Sequence, residues 1–215
     1  MGTRGGRRVE ESDLNPRVRP VQKRAQETLD LILDTAGVVL DEVGIDAFNT
    51  NLLAERAGVA VRSVYRYYPN KLAVIVGLAE RQARQWQASF GELIVEMRDP
   101  EQSALDVWER VLDAYVNFLE EKRERSAIRR AMQALPQLHE VNRRDNDFLS
   151  EEIAGALKAR GVREGLGALR MVGRLLLETC DGAVDDALSR SPRVPTALRS
   201  EIKRMHRCYL ILYVD

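Results

Sequence analysis

The sequence predicts an all-α protein, with a three-helix domain at the N-terminus and a larger helical bundle after it. Two observations support this prediction. Apolar residues recur at spacings of three and four over most of the chain, which is the pattern of amphipathic helices. No stretch alternates apolar and polar residues as a half-buried strand does. The apolar share of the 215 residues is 45%, which is enough for a sizeable core.

The most informative stretch is 50–71, which reads TNLLAERAGVAVRSVYRYYPNK. Thr50 is expected to cap a short helix, and Gly58 follows that helix where a left-handed residue would end it. A second short helix is predicted at 61–67, and Pro69 ends it. Two short helices joined by a turn that contains glycine form a helix-turn-helix, whose second helix can lie in the major groove of DNA.

The segments LLAERAGV and SVYRYYPNK resemble the DNA-binding half of the tetracycline-repressor (TetR) family of transcription regulators. The family pattern is a helix ending in Ala-Gly-Val, a short recognition helix, a tyrosine and a second aromatic residue, a turn and a lysine. Tyr68 stands at the position that is usually phenylalanine, and core packing is its preferred role. The motif covers about a tenth of the chain, and the helical remainder extends the resemblance loosely over the whole of it.

The resemblance implies which side chains meet DNA. The expected contact residues are Thr50, Asn51, Val61, Arg62, Ser63, Tyr65, Arg66, Tyr67 and Lys71. The first two are expected to meet phosphate and a base edge or sugar, and those that open the recognition helix to contact bases. Arg62 paired with guanine O6 and N7 would discriminate by roughly 1–3 kcal/mol. Tyr65, Tyr67 and Lys71 are expected to contact phosphates, Arg66 can serve either purpose, and core packing is the alternative for Tyr65.

Glycine, proline and charged residues divide the rest of the chain into further helices. The predicted segments are 22–43, 70–98, 103–121, 127–135, 137–160, 164–189 and 196–214. The segment 103–121 is apolar nearly all round, which predicts a central helix buried on every side. The charged run 120–126 that overlaps its end is expected to be solvated. The last segment ends in YLILYV, an apolar end that is costly to expose to water.

The motif and the charge distribution define three parts. They are a disordered basic arm at 1–20, the helix-turn-helix domain at 21–71 and a helical domain at 72–215 for ligand binding and dimerisation. The formal net charge is zero, but residues 1–24 carry seven basic side chains against three acidic ones. A local basic face is what phosphate neutralisation needs, so the neutral total does not argue against DNA binding. The arm is expected to follow the DNA backbone or enter the minor groove; a solvated tail is the alternative.

Aromatic and long apolar side chains in the larger domain predict a ligand pocket beside the central helix. Its expected lining residues are Trp86, Phe90, Trp108, Leu112, Tyr115, Met132 and Phe148. Pockets for small molecules are mostly apolar with a few polar groups, and Asn117, Asn142 and Glu178 are the candidates for those groups. A filled core without a cavity is the alternative. The apolar lining predicts a small hydrophobic effector.

Two further features concern assembly and control. The last two predicted helices carry more apolar residues than one side of a bundle needs, which predicts a homodimer that presents two recognition helices to a palindromic operator in double-stranded DNA. Only residues 68–70 join the recognition helix to the long helix at 70–98, so a tilt of that helix would move the DNA-reading element. Together with the resemblance, this link predicts a repressor that a hydrophobic small molecule releases from its operator.

Other classes of protein find less support in the residues. The sequence has no glycine-rich phosphate loop, no HExxH motif and no cluster of cysteine and histidine, which argues against an enzyme, a metal site and a bound cofactor. No apolar run is long enough to cross a membrane and no signal peptide is recognisable, so a cytoplasmic protein is expected. A helical module that binds a partner protein instead of DNA is the alternative function.

Overall fold

The computed structural model describes residues 14–17 and 22–214, apart from the side chains of 89, 140–142 and 145. These residues form nine α-helices and a short 3₁₀ turn at Pro136–Leu138, and they contain no β-strand, which confirms the all-α prediction. The helices are α1 (Lys23–Ala47), α2 (Thr50–Arg56), α3 (Val61–Tyr67), α4 (Lys71–Glu96), α5 (Ala104–Glu121), α6 (Arg123–Ala134), α7 (His139–Ala159), α8 (Leu166–Arg190) and α9 (Thr196–Leu210). Except for residues 14–17, the predicted basic arm lies outside the described residues.

The helices group into two compact units. The first contains α1 to α3, α4 as far as Arg81, and residues 127–140; the second contains residues 82–126 and the chain from Val141. The divisions therefore fall within α4, within α6 and near the start of α7, whereas the sequence-based boundary lies between residues 71 and 72. Residues 72–79 of α4 are all buried, so the first turns of this helix are part of a core and not a linker.

Helix α1 buries one face, as its apolar spacing predicts. Its buried residues are Ile32, Leu33, Ala36, Gly37, Val39 and Leu40. At Gly44 the backbone leaves the helical conformation, with φ of 69° and ψ of 174°, a positive φ that favours glycine. The regular helix ends at Gly44 as predicted, and one further turn leads the chain to the buried Phe48.

Helix α5 is not buried on every side, contrary to the prediction for 103–121. Its inner face carries Trp108 and Leu112, both buried, whereas the side chain of Asp106 is 67% exposed and pairs with Arg207 of α9 at 3.0 Å. The few polar residues of this segment fall on one side of the helix, where they form a solvent-facing edge. The apolar face of α5 packs with α8 and α9 to form the core of the second unit.

Two other packing predictions are wrong. Helix α6 begins at Arg123, inside the charged run predicted to be solvated, and Arg125 and Ser126 are buried. Phe148, predicted to face inward from α7, is 48% exposed. The buried stripe of α7 includes Asn146, Ser150, Ile153 and Leu157. These positions are spaced by three and four, so they share one face of the helix and turn position 148 towards solvent.

Candidate DNA-binding surface and ligand groove

Two local signals shape the helix-turn-helix. The Asn49 side chain accepts hydrogen bonds from the backbone N–H groups of Asn51, at 3.1 Å, and Leu52, at 2.9 Å, so Asn49 and not Thr50 is the N-cap of α2. Gly58 has a φ of 64°, the left-handed conformation that ends a helix, as predicted. Helix α3 then occupies the predicted range.

Thr50 joins α2 to α3. The residue is buried, and its hydroxyl donates a hydrogen bond to Tyr65 Oη at 3.0 Å. The Thr50 hydroxyl is therefore occupied within the domain, which explains why the neighbouring asparagine caps the helix. This placement differs from the phosphate contact that the resemblance implies for Thr50, and it gives the residue the role of holding the Tyr65 phenol in place.

Helix α3 presents one exposed basic face. Arg62, Tyr65 and Arg66 are exposed, whereas Val64 and Tyr67 are buried. Positions 62, 65 and 66 are spaced by three and four, so their side chains lie on the same side of the helix. They offer two guanidinium groups and a phenol hydroxyl, which are suitable donors for base edges and phosphates. We term these three residues the α3 face.

The other expected DNA contacts near the α3 face differ in exposure. Asn51 is exposed at the start of α2, and Val61 and Ser63 are half-buried in the first turn of α3. Lys71 is half-buried and its Nζ donates to the backbone carbonyl of Ile45 at 3.1 Å. An ammonium group has three donors, and this bond occupies one of them.

Tyr67 is placed differently from its expected role. It is 3% exposed, and its hydroxyl donates to the backbone carbonyl of Ala25 in α1 at 3.2 Å. Its hydroxyl is thus engaged inside the domain, and the expectation that it contacts a phosphate is corrected to a packing role. Tyr68 is also buried, as preferred from the sequence. Its ring lies so close to Gly77 of α4 that a Cβ there would approach Tyr68 Oη to 2.6 Å.

The structure adds one contact to α3 that the sequence does not reveal. The backbone N–H of Arg17 donates to the carbonyl of Tyr67 at 2.8 Å, and Arg17 Nη1 donates to the carbonyl of Tyr65 at 3.4 Å. Both acceptors lie in the last turn of α3, where carbonyl groups have no partner within the helix. In the sequence, Arg17 is one of several basic residues near the N-terminus, and nothing local distinguishes it from the others.

Three of the seven residues predicted to line a ligand pocket come together in the second unit. Trp86, Phe90 and Tyr115 form, with Phe118, a group that we term the aromatic cluster. The Trp86 ring centroid lies 4.9 Å from that of Tyr115 and 5.6 Å from that of Phe118. The rings of Phe90 and Phe118 are 5.9 Å apart and meet edge to face, an arrangement that aromatic pairs favour.

The other four predicted pocket residues are placed differently. Trp108 and Leu112 belong to the same hydrophobic core as Phe90 and Phe118, but Trp108 packs towards α9, where its Nε1 donates to Nδ1 of His206 at 3.1 Å. Met132 is buried and belongs to the first unit. Phe148 faces away from the buried stripe of α7. Neither Met132 nor Phe148 therefore joins the aromatic cluster.

A surface groove of about 530 Å³ lies beside the aromatic cluster, between α4, α5 and the start of α6. Its lining residues are Gln85, Ala88, Phe90, Ala114, Asn117, Phe118, Glu121 and Arg125. Two of them belong to the aromatic cluster, and Asn117 is one of the polar groups predicted for a pocket. We term this feature the α4–α5 groove. Asn117 Oδ1 also accepts a hydrogen bond from Arg199 at 2.9 Å.

Arg125 is the charged, buried residue among the groove residues that sequence reasoning missed. It is 8% exposed, and its guanidinium carbon lies 3.6 Å from the centroid of the Phe118 ring. Nη1 donates to the backbone carbonyl of Phe118 and to Glu121 Oε2, the latter at 2.9 Å. The sequence shows Arg125 inside a charged run, and only the fold of α6 against α5 makes it a buried cation beside an aromatic wall.

The described part of the chain offers no sign of a metal centre or a membrane segment. Within it, no three side chains of histidine, cysteine, aspartate or glutamate stand close enough together to hold a metal ion. None of its helices combines the length and apolar character needed to cross a bilayer.

Two family models match the chain. The one described as "Bacterial regulatory proteins, tetR family" matches residues 32–77, which hold much of α1, all of α2 and α3, and the start of α4. The one described as "Tetracyclin repressor-like, C-terminal domain" matches residues 102–214, more than half of the chain. No curated protein matches the sequence.

Solved structures share the fold. A TetR-family transcriptional regulator from Streptomyces coelicolor is 29% identical, with a TM-score of 0.65 over 87% of this chain and 99% of that one. The fatty acid degradation regulator FadR from Bacillus halodurans is 18% identical, with a TM-score of 0.66 over 84% of this chain and 94% of its own. SmeT, the repressor of the Stenotrophomonas maltophilia multidrug efflux pump SmeDEF, is 20% identical, with a TM-score of 0.68 over 90% and 93%.

Proposed function

The chain belongs to the TetR family of DNA-binding transcriptional regulators, and from this we propose that it is a repressor that binds a palindromic operator as a homodimer. We propose further that a small, largely hydrophobic effector releases it. The observation that carries the proposal is the α3 face, which combines two arginines and a tyrosine on the exposed side of a recognition helix. Such a helix contacts base edges with its N-terminal residues.

Within the α3 face, the three side chains have different proposed tasks. Arg62 lies in the first turn of α3 and is proposed to read a guanine through O6 and N7. Tyr65 and Arg66 follow within one turn and are proposed to bind phosphates, which position the helix without reading sequence. Asn51, Lys71 and the half-buried residues that open α3 are proposed as additional contacts.

The proposed homodimer uses the last two helices. Large apolar side chains are exposed on α8, on α9 and just after it: Leu166, Met171, Leu175, Met205, Ile211 and Leu212. Apolar residues gathered on the surface mark interaction sites. A second copy of the chain is the proposed occupant, because a two-fold dimer presents two recognition helices to two inverted half-sites.

The proposed effector site is the α4–α5 groove with the aromatic cluster beside it. Small-molecule sites are concave and combine apolar surface with a few polar groups, and the groove offers four apolar residues, Ala88, Phe90, Ala114 and Phe118, beside four polar ones. One of the structures with the same fold is a complex of SmeT with triclosan, with 20% identity and a TM-score of 0.67. That complex concerns SmeT, and it supports a ligand site in this chain through likeness of fold.

Selection of duplexes from a random DNA library tests the proposed function. The purified protein is expected to enrich one motif with two inverted half-sites. In a mobility-shift assay, the fraction of the enriched duplex that is bound by the protein is expected to fall as salt rises. Recovery of no preferred sequence would show that the chain is not a sequence-specific regulator, and would favour a protein-interaction module. The same duplex then serves to test candidate effectors, by measuring whether they release the protein from it.

A further inference from the structure

The α4–α5 groove contains a buried cation that the protein does not fully satisfy. Arg125 is 8% exposed, and its Nε is buried without a hydrogen-bond partner in the described part of the chain. Buried polar groups nearly always have a partner, and each exception asks for an explanation such as a functional role. The orphan donor lies on a residue that lines the groove.

We propose that the α4–α5 groove binds a carboxylic acid with an apolar body, the carboxylate at Arg125 and the body against Phe90 and Phe118. This inference rests on the proposed effector function and names the chemical class of the effector. A guanidinium offers its donors in a planar fork that matches the two oxygens of a carboxylate. With Nη1 already bonded to the protein, Nε provides a donor for the ligand.

The surroundings of Arg125 hold the guanidinium in position. It stacks on the Phe118 ring at 3.6 Å, and Nη1 is fixed by the backbone carbonyl of Phe118. Gln82 donates to the backbone carbonyl of Arg125 at 3.2 Å and leaves its own Oε1 buried without a partner in the described residues. Two unsatisfied polar atoms thus lie on two adjoining residues, one a donor and one an acceptor.

Glu121 sets the strength of the site. Its carboxylate pairs with Arg125 at 2.9 Å, but its side chain is 68% exposed, so water screens the pair and the interaction is weak. A ligand carboxylate would either take the place of Glu121 at the guanidinium or bind beside it. In both cases Glu121 opposes the ligand through its negative charge. Removing that charge is therefore expected to strengthen the binding of an acid, although the substitution also removes a native contact.

The apolar part of the groove accommodates the body of such a ligand. Phe90 and Phe118 are buried, Ala88 and Ala114 add small apolar surfaces, and the polar side chain of Gln85 lies towards solvent. A volume of about 530 Å³ lies within the range of sites for small molecules. The groove therefore combines one buried positive end with an apolar wall, which suits an amphipathic acid better than a neutral hydrocarbon.

Isothermal titration calorimetry on the full-length chain without DNA tests the site. The probes are 2-naphthoate and decanoate, each compared with its neutral amide, 2-naphthamide and decanamide. We expect at least one acid to bind roughly tenfold or more tightly than its amide, because the guanidinium forms an ion-paired hydrogen bond with a carboxylate, which is stronger than its bond to a neutral amide oxygen. Equal binding of acid and amide in both pairs, or no binding by any probe, would overturn the proposal.

Three variants localise the effect. Arg125→Met is expected to abolish the preference for the acid while the amide still binds, and Arg125→Lys, which keeps the charge, to retain part of it. Glu121→Gln is expected to increase the affinity for the acid and leave that for the amide unchanged. Circular dichroism identifies a variant that fails to fold. If the Arg125 variants do not fold, Glu121→Gln, which changes an exposed side chain, provides the test of the site. A preference that survives Arg125→Met, or that falls in Glu121→Gln, contradicts the proposal.

The titrations separate this inference from the proposed function. Binding of the acid is measured without DNA, and release is measured with the selected duplex. If the acid binds at Arg125 but leaves the DNA complex intact, the site stands and effector-controlled release is wrong. If the protein binds its operator and no acid binds, the carboxylate site is wrong and the regulator stands.

Discussion

A single histidine connects three helices in the second unit. Trp108 of α5 donates to His206 Nδ1 at 3.1 Å, and Thr179 of α8 lies 2.9 Å from His206 Nε2. The Trp108 bond requires an unprotonated Nδ1, so the proton of the neutral ring is on Nε2 and points at Thr179. His206 is 1% exposed, and this burial lowers its pKa to about 4. The neutral ring is thus part of the packing between α5, α8 and α9.

This burial predicts a loss of stability in mild acid. In the unfolded chain the histidine has a pKa near 6.5, so below that pH the unfolded state binds a proton that the folded state does not. The stability that His206 contributes is complete above about pH 6.5 and falls as the pH approaches 4, by about 3 kcal/mol in total. Urea unfolding at a series of pH values measures the change.

The matched variant is His206→Asn, whose amide oxygen can accept from Trp108 but does not titrate in this range. It is expected to be less stable than the parent at pH 7, and to lose less stability between pH 6.5 and 4. Carboxylates that titrate in both proteins cancel in the difference. Parallel pH profiles for the two proteins would show that His206 is not responsible.

At the scale of residues, the sequence predicts best those roles that backbone conformation determines. Gly44 and Gly58 have positive φ values where the sequence places helix ends, because the left-handed region favours glycine over other residues. Arg17 could not be distinguished from other basic residues, because its partners Tyr65 and Tyr67 are 48 and 50 positions away in the sequence. The partners of Arg125 are only 7 and 4 positions away, but its burial depends on how α6 packs against α5.

At the scale of helices, α3 and α4 are joined by a close contact between a tyrosine ring and a glycine. Tyr68 follows α3, and its ring lies on Gly77 of α4 at a distance that leaves no room for a side chain. Tyr68 is 2% exposed, so its ring cannot move aside into solvent. The end of the recognition helix is therefore fixed to α4 by packing as well as by the short segment 68–70.

Gly77→Ala is expected to destabilise the protein by about 1–3 kcal/mol, because the added methyl group overlaps a buried ring. Gly91→Ala is the matched control on the same helix, since nothing lies within 4 Å of a Cβ at that position. It is expected to stabilise the protein by about 0.5–1 kcal/mol, as alanine is favoured over glycine in a helix. Denaturant unfolding of the two variants measures both effects, and destabilisation of equal size in both would contradict the packing account.

Helix order and most helix ends could be predicted from apolar periodicity and from glycine and proline. The buried face of each helix could be predicted less well. The helix α3 was predicted with its observed bounds, since a glycine turn precedes it and Pro69 follows it. The predicted inward position of Phe148 is wrong because apolar periodicity alone does not reveal the buried face of α7. Asn146 and Ser150 are polar yet buried, and they define that face together with Ile153.

At the scale of the whole molecule, the proposed homodimer makes a specific prediction. Leu175→Asp on α8 and Met205→Asp on α9 place a charge on exposed apolar positions, 49% and 47% exposed. Each is expected to convert a dimer into a monomer, because an unpaired charge at an apolar interface is costly. Leu176, the adjacent residue, is buried in the core, so a charge there would test folding instead.

Sedimentation velocity at micromolar concentration measures the assembly state. Val95→Asp is the control, because Val95 is an exposed apolar residue on α4 outside the proposed interface; this variant is expected to remain a dimer. A parent protein that sediments as a monomer, or dimers that survive both interface substitutions, would exclude α8 and α9 as the dimer interface.

The central claim is that the α3 face reads DNA, and the most direct test is the effect of Arg62→Ala on sequence preference. Fluorescence anisotropy compares binding to the selected operator and to a scrambled duplex, for the parent, for Arg62→Ala and for Arg190→Ala, a control at an exposed arginine on α8. We predict that Arg62→Ala reduces the preference for the operator by a factor of roughly 5–150, equivalent to about 1–3 kcal/mol, and that Arg190→Ala leaves it unchanged. An Arg62→Ala variant with the full preference of the parent would contradict the account.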